Sequence, residues 1–115
     1  MPVNGAKARI EEAVLSWPGV TPHPHRFGGT EYRLGGRELG HIHGEALVDI
    51  PFPTRVRAEV VAAGRAEPHH LLPQTGWVSC YLRQASDVDG AVELLRLSYD
   101  LAVQQKAHRQ DPMGT

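Results

Sequence analysis

The chain has 115 residues, the size of one domain, with 41% apolar and 22% charged residues and a formal net charge of -1. That balance gives no global attraction to nucleic acid or to an anionic membrane. A lone cysteine, Cys80, excludes an intramolecular disulfide, and no run approaches the roughly 18 apolar residues of a membrane span.

The spacing of Ile10, Val14 and Trp17 predicts a helix from about Ala6 to Trp17, capped by Asn4 and stopped by Pro18-Gly19, with Trp17 as a core anchor. Val20 to Arg26 reads as extended, with Pro22 and Pro24 suited to a sheet edge. Gly28-Gly29 turns the chain into a short strand, Thr30 to Leu34. Gly35-Gly36 turns it again into Glu38 to His43, and Ala46 to Ile50 completes a meander. Pro51 and Pro53 end that segment. Thr54 can cap a helix running to Ala63, with Gly64 at its C-terminal cap position.

A loop rich in proline and histidine, Glu67 to Gly76, leads to a fifth strand, Trp77 to Arg83. Its alternation puts Val78, Cys80 and Leu82 on one face, with Trp77, Ser79 and Tyr81 on the other. Ser86, with Asp89 three residues on, reads as a capping-box variant opening the last helix. The stripe of that helix is Val88, Val92, Leu95, Tyr99 and Val103, widened by Ala91, Leu94, Ser98 and Ala102. The expected architecture is α+β: two layers, an antiparallel sheet of about five strands with three helices, in the order α-β-β-β-β-α-β-α. Residues 1–103 form the expected domain, and 104–115 a frayed tail. The segment 1–9 lacks the apolar run of a signal peptide, so the expected compartment is the cytoplasm.

The unusual chemistry is histidine. Six of the seven come as pairs: His23/His25, His41/His43 and His69/His70. On a strand, an H-x-H pair places both rings on one face, with Cα atoms less than about 7 Å apart. Such a pair can chelate a metal, or it can hydrogen-bond a polyphenol, a carboxylate or an oxyanion. On Glu38 to His43, either Leu39 or Ile42 faces the core. The first choice turns His41 and His43 toward an interior or cleft, the second toward water. A cupin-like metal barrel is excluded, because Glu45 follows His43 by only two residues and about five strands cannot build the double-sheet barrel. G-x-S-x-G, P-loop, dinucleotide and C-x-x-C signatures are missing. Cys80, on an apolar strand face, reads as core and not as a nucleophile.

Several motifs together resemble the luciferase-family domain, small bacterial proteins named for their similarity to the fungal luciferases. They are Trp17-Pro18-Gly19-Val20, Pro24-His25-Arg26-Phe27-Gly28-Gly29, Arg37-Glu38-Leu39-Gly40-His41-Ile42-His43-Gly44, Asp49-Ile50-Pro51-Phe52-Pro53, Pro68-His69-His70-Leu71-Leu72-Pro73 and Gly76-Trp77-Val78. The resemblance spans about Ile10 to Ala102. It implies oxidation of a hydroxylated styryl-pyrone by molecular oxygen in the fungal relatives, with no metal or organic cofactor invoked; a family name does not transfer a substrate. A second resemblance, to MmcQ/YjbR-like domains, rests on His70, Trp77 and Leu97-Ser98-Tyr99-Asp100-Leu101. Some of those domains are thought to bind nucleic acid, which the near-neutral charge here does not favour.

The leading expectation is a domain that binds a small organic molecule at a histidine-lined cleft, with cofactor-independent oxidative chemistry as its further reach. His41, His43 and His70 are the candidate catalytic residues, and His25, His69, Trp77 and Tyr81 the candidate ligand contacts. Neutral imidazoles would take a proton from a phenol or enol and stabilise the resulting anion. Two alternatives stand beside it: a non-enzymatic interaction module or homodimer, and a histidine metal site.

Overall fold

The computed structural model describes residues 3–69, 71–72 and 75–110, with side chains as far as Lys106. Helix α1 (Ala6–Val14) precedes a meander of β1 (Val20–His25), β2 (Gly29–Leu34), β3 (Arg37–His43) and β4 (Leu47–Pro51), with a 3-10 turn (Arg26–Gly28) between the first two. Helix α2 (Thr54–Ala62), the two-residue β5 (Glu67–Pro68), β6 (Trp77–Tyr81) and the long α3 (Ala85–Gln110) follow. The fold is α+β, with three helices and one sheet in the order β1-β2-β3-β4-β6-β5, antiparallel at every pairing.

The main departure from the expected order is β5. Glu67 and Pro68 pair with Ser79 and Val78 inside what the sequence presents as loop. A two-residue strand has no alternation to read. At the opposite edge, Pro22 and Pro24 leave β1 with fewer donors for recruiting another strand.

Helix ends depart from the expected caps for identifiable reasons. Gly5, with φ +76, stands where Asn4 was expected, and its N–H donates to Glu45 Oε2 at 3.1 Å. A carboxylate from another element thus meets the positive end of α1. The regular helix stops at Val14, and Trp17 sits in the following turn, where it packs against Tyr99 with ring centroids 5.4 Å apart. Pro53, not Thr54, occupies the cap position of α2, while Gly64 (φ +74) closes its other end as expected. At the start of α3, Asp87 Oδ2 accepts the N–H groups of Arg83 and Gln84 at 2.9 and 3.0 Å, the role expected of Ser86 and Asp89. Helix α3 runs on to Gln110, past the apolar stripe, and Val103 is exposed. Of the expected frayed tail, 104–115, residues 104–110 continue the helix and 111–115 lie outside the described residues.

Helices α1 and α3 supply Ile10, Val14, Val88, Leu94 and Leu95 to one face of the sheet. That face answers with Tyr32, Leu39, Ile42, Val48, Ile50 and Val78, all essentially inaccessible to water. Each such aliphatic side chain contributes about 1.5–3 kcal/mol by leaving water. Cys80 belongs to this core, and burial, aided by the charges of Asp49 and Asp87, pushes its thiol up to about 12. Among the described residues no helix is long and apolar enough to cross a membrane.

A bulge in β3 settles the ambiguous alternation. Tyr32 pairs with Gly40 and Arg33 with Glu38, so Leu39 is an extra residue in the ladder. It lets Leu39 and Ile42 both reach the core, and it puts Glu38, His41 and His43 together on the opposite face. The carbonyl that the bulge removes from the ladder is satisfied from α3, where Ser98 Oγ donates to Leu39 O at 2.9 Å.

Candidate functional site

The face turned away from the helices carries the histidines. Alternation along β3, β4 and β6 projects His41, His43, Asp49, Trp77 and Ser79 to this side, because Ile42, Val48, Ile50, Val78 and Cys80 are taken by the core. Strand pairing then sets His41 opposite Asp49, and Asp49 opposite Ser79. Asp49 is 1% exposed and forms the centre of the group. Its Oδ1 accepts the Ser79 hydroxyl at 2.7 Å. Its Oδ2 lies 3.2 Å from His41 Nε2, 3.5 Å from His43 Nε2 and 3.4 Å from His69 Nε2.

The ring of His41 is held on both sides, with Nδ1 2.6 Å from Glu38 Oε2 and Nε2 facing Asp49. Burial works to lower its pKa, but the hydrogen bonds to Asp49 and Glu38 outweigh burial and raise it to about 9. Both ring nitrogens can then donate to carboxylates, as only an imidazolium allows. Burial works to raise the pKa of Asp49; the hydrogen bonds from His41 and Ser79, with the His69 charge, hold it below the usual carboxylate range.

Around this centre, His25 lies flat on His41, with centroids 3.9 Å apart and planes 15° from parallel. His25 Nδ1 sits 2.8 Å from Glu31 Oε1, and Arg33 Nε donates to the other oxygen of Glu31 at 2.6 Å. The His25 hydrogen bond is the main reason the Glu31 carboxyl is held low, with Arg33 adding to it against the cost of burial. Trp77 stands 5.3 Å from His41 and 6.1 Å from His69, centroid to centroid. His69 reaches the group from the segment after β5, where its Nδ1 accepts the N–H groups of Leu71 and Leu72 at 3.1 Å each.

Over these groups opens a cavity of about 390 Å³, lined by His25, His41, His43, Asp49, His69 and Trp77, with Arg26, Phe27, Leu71 and Leu72 at its sides. Its rim is apolar. Phe27 is 92% exposed in a left-handed conformation (φ 60), while Leu71 is 74% and Leu72 47% exposed. A bulky residue adopts that conformation rarely and at a cost.

Five of the residues singled out in the sequence, His25, His41, His43, His69 and Trp77, therefore line one hollow. His70 lies outside the described residues. Tyr81 does not join them: it sits at the far end of β6, opposite Leu47, with the Arg83 guanidinium 4.7 Å over its ring. His23, on β1 two residues before His25, pairs with the Thr21 hydroxyl, 2.8 Å away, and is not among the residues lining the cavity. Sequence reasoning missed Asp49, Glu38, Glu31 and Ser79. For Asp49 a signal exists in a carboxylate inside the apolar run Leu47-Val48-Asp49-Ile50, since a charge in such a run is buried only when it is paired. The position of Glu38 follows from the bulge, which has no signature in composition.

The family model of the luciferase domain matches residues 36–98. No curated protein and no solved structure matches the chain. The match takes in Glu38, His41, His43, Asp49, His69, Trp77 and Ser79; His25 and Phe27 precede it, and the resemblance to MmcQ/YjbR-like domains has no counterpart in it. With more than half of its length matched, this chain belongs to the luciferase domain family.

Proposed function

We propose that the cleft binds a small hydroxylated aromatic or enolic molecule, ring against Trp77 and hydroxyl toward His43 and Asp49. The observation that carries this is the cavity itself. Its volume falls within the range of small-molecule sites, its walls are apolar, and its polar groups converge on one point of the floor. Phe27, Leu71 and Leu72 give an apolar tail somewhere to lie outside that point. The hydroxylated styryl-pyrones that the family resemblance implies have this make-up: a flat ring system with acidic hydroxyls. Within the cleft, His43 has the more open ring and is placed to take a proton from such a hydroxyl. His41, fixed between Glu38 and Asp49, orders the hydrogen bonds around it. Oxidative turnover of the bound molecule is the further part of the same proposal.

The test uses Trp77 as reporter. In a Trp17→Phe background, Trp77 is the remaining tryptophan, and it lines the cavity. Titration with a hydroxystyryl-pyrone should quench its emission saturably. His43→Ala should weaken binding at least tenfold, about 1.4 kcal/mol, with the far-UV circular dichroism unchanged. Quenching that is linear in ligand, or identical in folded His41→Ala and His43→Ala proteins, would remove the proposal.

A further inference from the structure

We propose that the floor of the cleft binds one divalent first-row transition ion through His41 Nε2, His43 Nε2 and Asp49 Oδ2. The proposal rests on the cleft reading for its open side and adds a second occupant to the same hollow.

Two of the three ligand–ligand distances are those of a ligand set. Asp49 Oδ2 is 3.2 Å from one imidazole nitrogen and 3.5 Å from the other. Ligand atoms about 2.0–2.2 Å from a metal stand about 3.0–3.5 Å from each other at octahedral and tetrahedral angles. The rings of His41 and His43 are nearly perpendicular, at 82°, with centroids 4.8 Å apart, so their in-plane lone pairs can converge from two directions. Two imidazoles and one carboxylate on one side, with a cavity on the other, form the facial arrangement used for exchangeable transition ions such as Fe2+, Co2+ and Zn2+. All-oxygen sites suit Mg2+ and Ca2+ instead.

The surroundings orient this set. Glu38 Oε2, at 2.6 Å, takes the Nδ1 hydrogen of His41; metal binding displaces the Nε2 proton to solvent and frees that lone pair for the ion, the carboxylate–histidine–metal relay of many such sites. Ser79 occupies Oδ1 of Asp49 and so turns Oδ2 toward the imidazoles. Asp49 is a fully buried carboxylate, and buried charges are paired or coordinate metals.

Two neighbouring histidines are excluded as ligands by their own geometry. One ring nitrogen from each of His25, His41 and His43 lies within 4.8 Å of the other two, but His25 is stacked parallel on His41. Lone pairs in two parallel planes do not meet at one ion. His69 accepts two backbone N–H groups at Nδ1, so its hydrogen is on Nε2, aimed at Asp49 Oδ2 from 3.4 Å. It is a positioning residue that steadies the carboxylate.

The experiment uses untagged full-length protein, stripped with a chelator and titrated with Co2+ alone by calorimetry and visible absorption. The expected result is one Co2+ per chain, displaced by Zn2+. Affinity should fall about 100-fold or more in Asp49→Asn and His43→Ala, and about 10- to 100-fold in Glu38→Gln. Circular dichroism confirms that each variant is folded. Absence of saturable binding in the wild type overturns the proposal, as does a loss in His25→Ala as large as that in Asp49→Asn. The pyrone titration, run on stripped and Co2+-loaded protein, separates the two readings. Quenching of Trp77 without metal binding leaves the cleft reading standing and removes this one; metal binding without quenching does the reverse.

Discussion

Two glycine-to-alanine substitutions should shift stability in opposite directions, and the structure says which way each goes. At Gly40, beside the bulge, an added Cβ would stand 2.7 Å from Leu95 Cδ2 and 2.9 Å from the backbone oxygen of Asp49. The leucine methyl can swing away. The carbonyl cannot do so cheaply, because β4 is held by β3 on one side and β6 on the other. Overpacking of this kind costs about 1–3 kcal/mol. At about 4 °C per kcal/mol for a domain of this size, a loss of about 2 kcal/mol lowers Tm by about 8 °C. Gly90 lies inside α3, and a Cβ there meets nothing within 4 Å. Gly90→Ala should therefore stabilise by about 0.5–1 kcal/mol through helix propensity and a less flexible unfolded chain. Urea unfolding followed at 222 nm by circular dichroism reads both, with the slope m expected to be unchanged. Gly40→Ala also pushes on the backbone of Asp49, so Co2+ affinity should drop in it and not in Gly90→Ala. A folded Gly40→Ala protein as stable as wild type would show that β3 and β4 do not approach as closely as the structure has them.

The remaining predictions concern single polar groups. Ser98→Ala removes the donor to the buried carbonyl of Leu39 and should cost about 1–3 kcal/mol in Cm-derived stability, whereas a neutral result would mean that the bulge carbonyl has another partner. Glu31 has a carboxyl held below its ordinary value of 4.5, so its share of stability is fully present above that pH and is lost as pH falls through the lower folded-state value. Glu31→Gln should therefore flatten the acid limb of the stability profile below pH 4.5, measured by urea melts; an unchanged limb would rule out its pairing with His25 and Arg33. Cys80, with its thiol raised to about 12 and 7% of its surface exposed, should react with a thiol-specific disulfide reagent at pH 8 only in step with unfolding, and rapid labelling of native protein would contradict its burial.

What the sequence makes legible here is whatever depends on local spacing. Gly35-Gly36 marks the β2–β3 hairpin because Leu34 and Arg37 must pair across it, and Val88, Leu94 and Leu95 repeat at the interval that puts them under the sheet. The histidines of the cleft stand out by type alone. The expectation that they share a hollow depends on which way β3 faces, and the periodicity of Glu38 to His43 is silent on that point, because one extra residue breaks it. Asp49 escapes notice for a related reason. Its role comes from the pairing of β4 with β3 and β6, and each of those contacts joins residues far apart in the chain or separated by a turn of uncertain register.

The bulge therefore links fold to site. An unbroken period-2 strand would send Glu38 and His41 to opposite faces, since they are three apart, and His41 would lose the carboxylate that orients its ring. One added residue puts them on the same face, at the cost of a carbonyl that must find a partner outside the ladder, and Ser98 of α3 supplies it. The helix that covers the core thus also holds the strand geometry on which the opposite face depends. A cleft built this way is sensitive to changes it never touches. Substitutions at Leu39, Gly40 or Ser98, all on the core side, should alter the spacing of His41, His43 and Asp49 more than substitutions at the exposed rim residues Leu71 and Leu72, which change only what the ligand's tail can lie against.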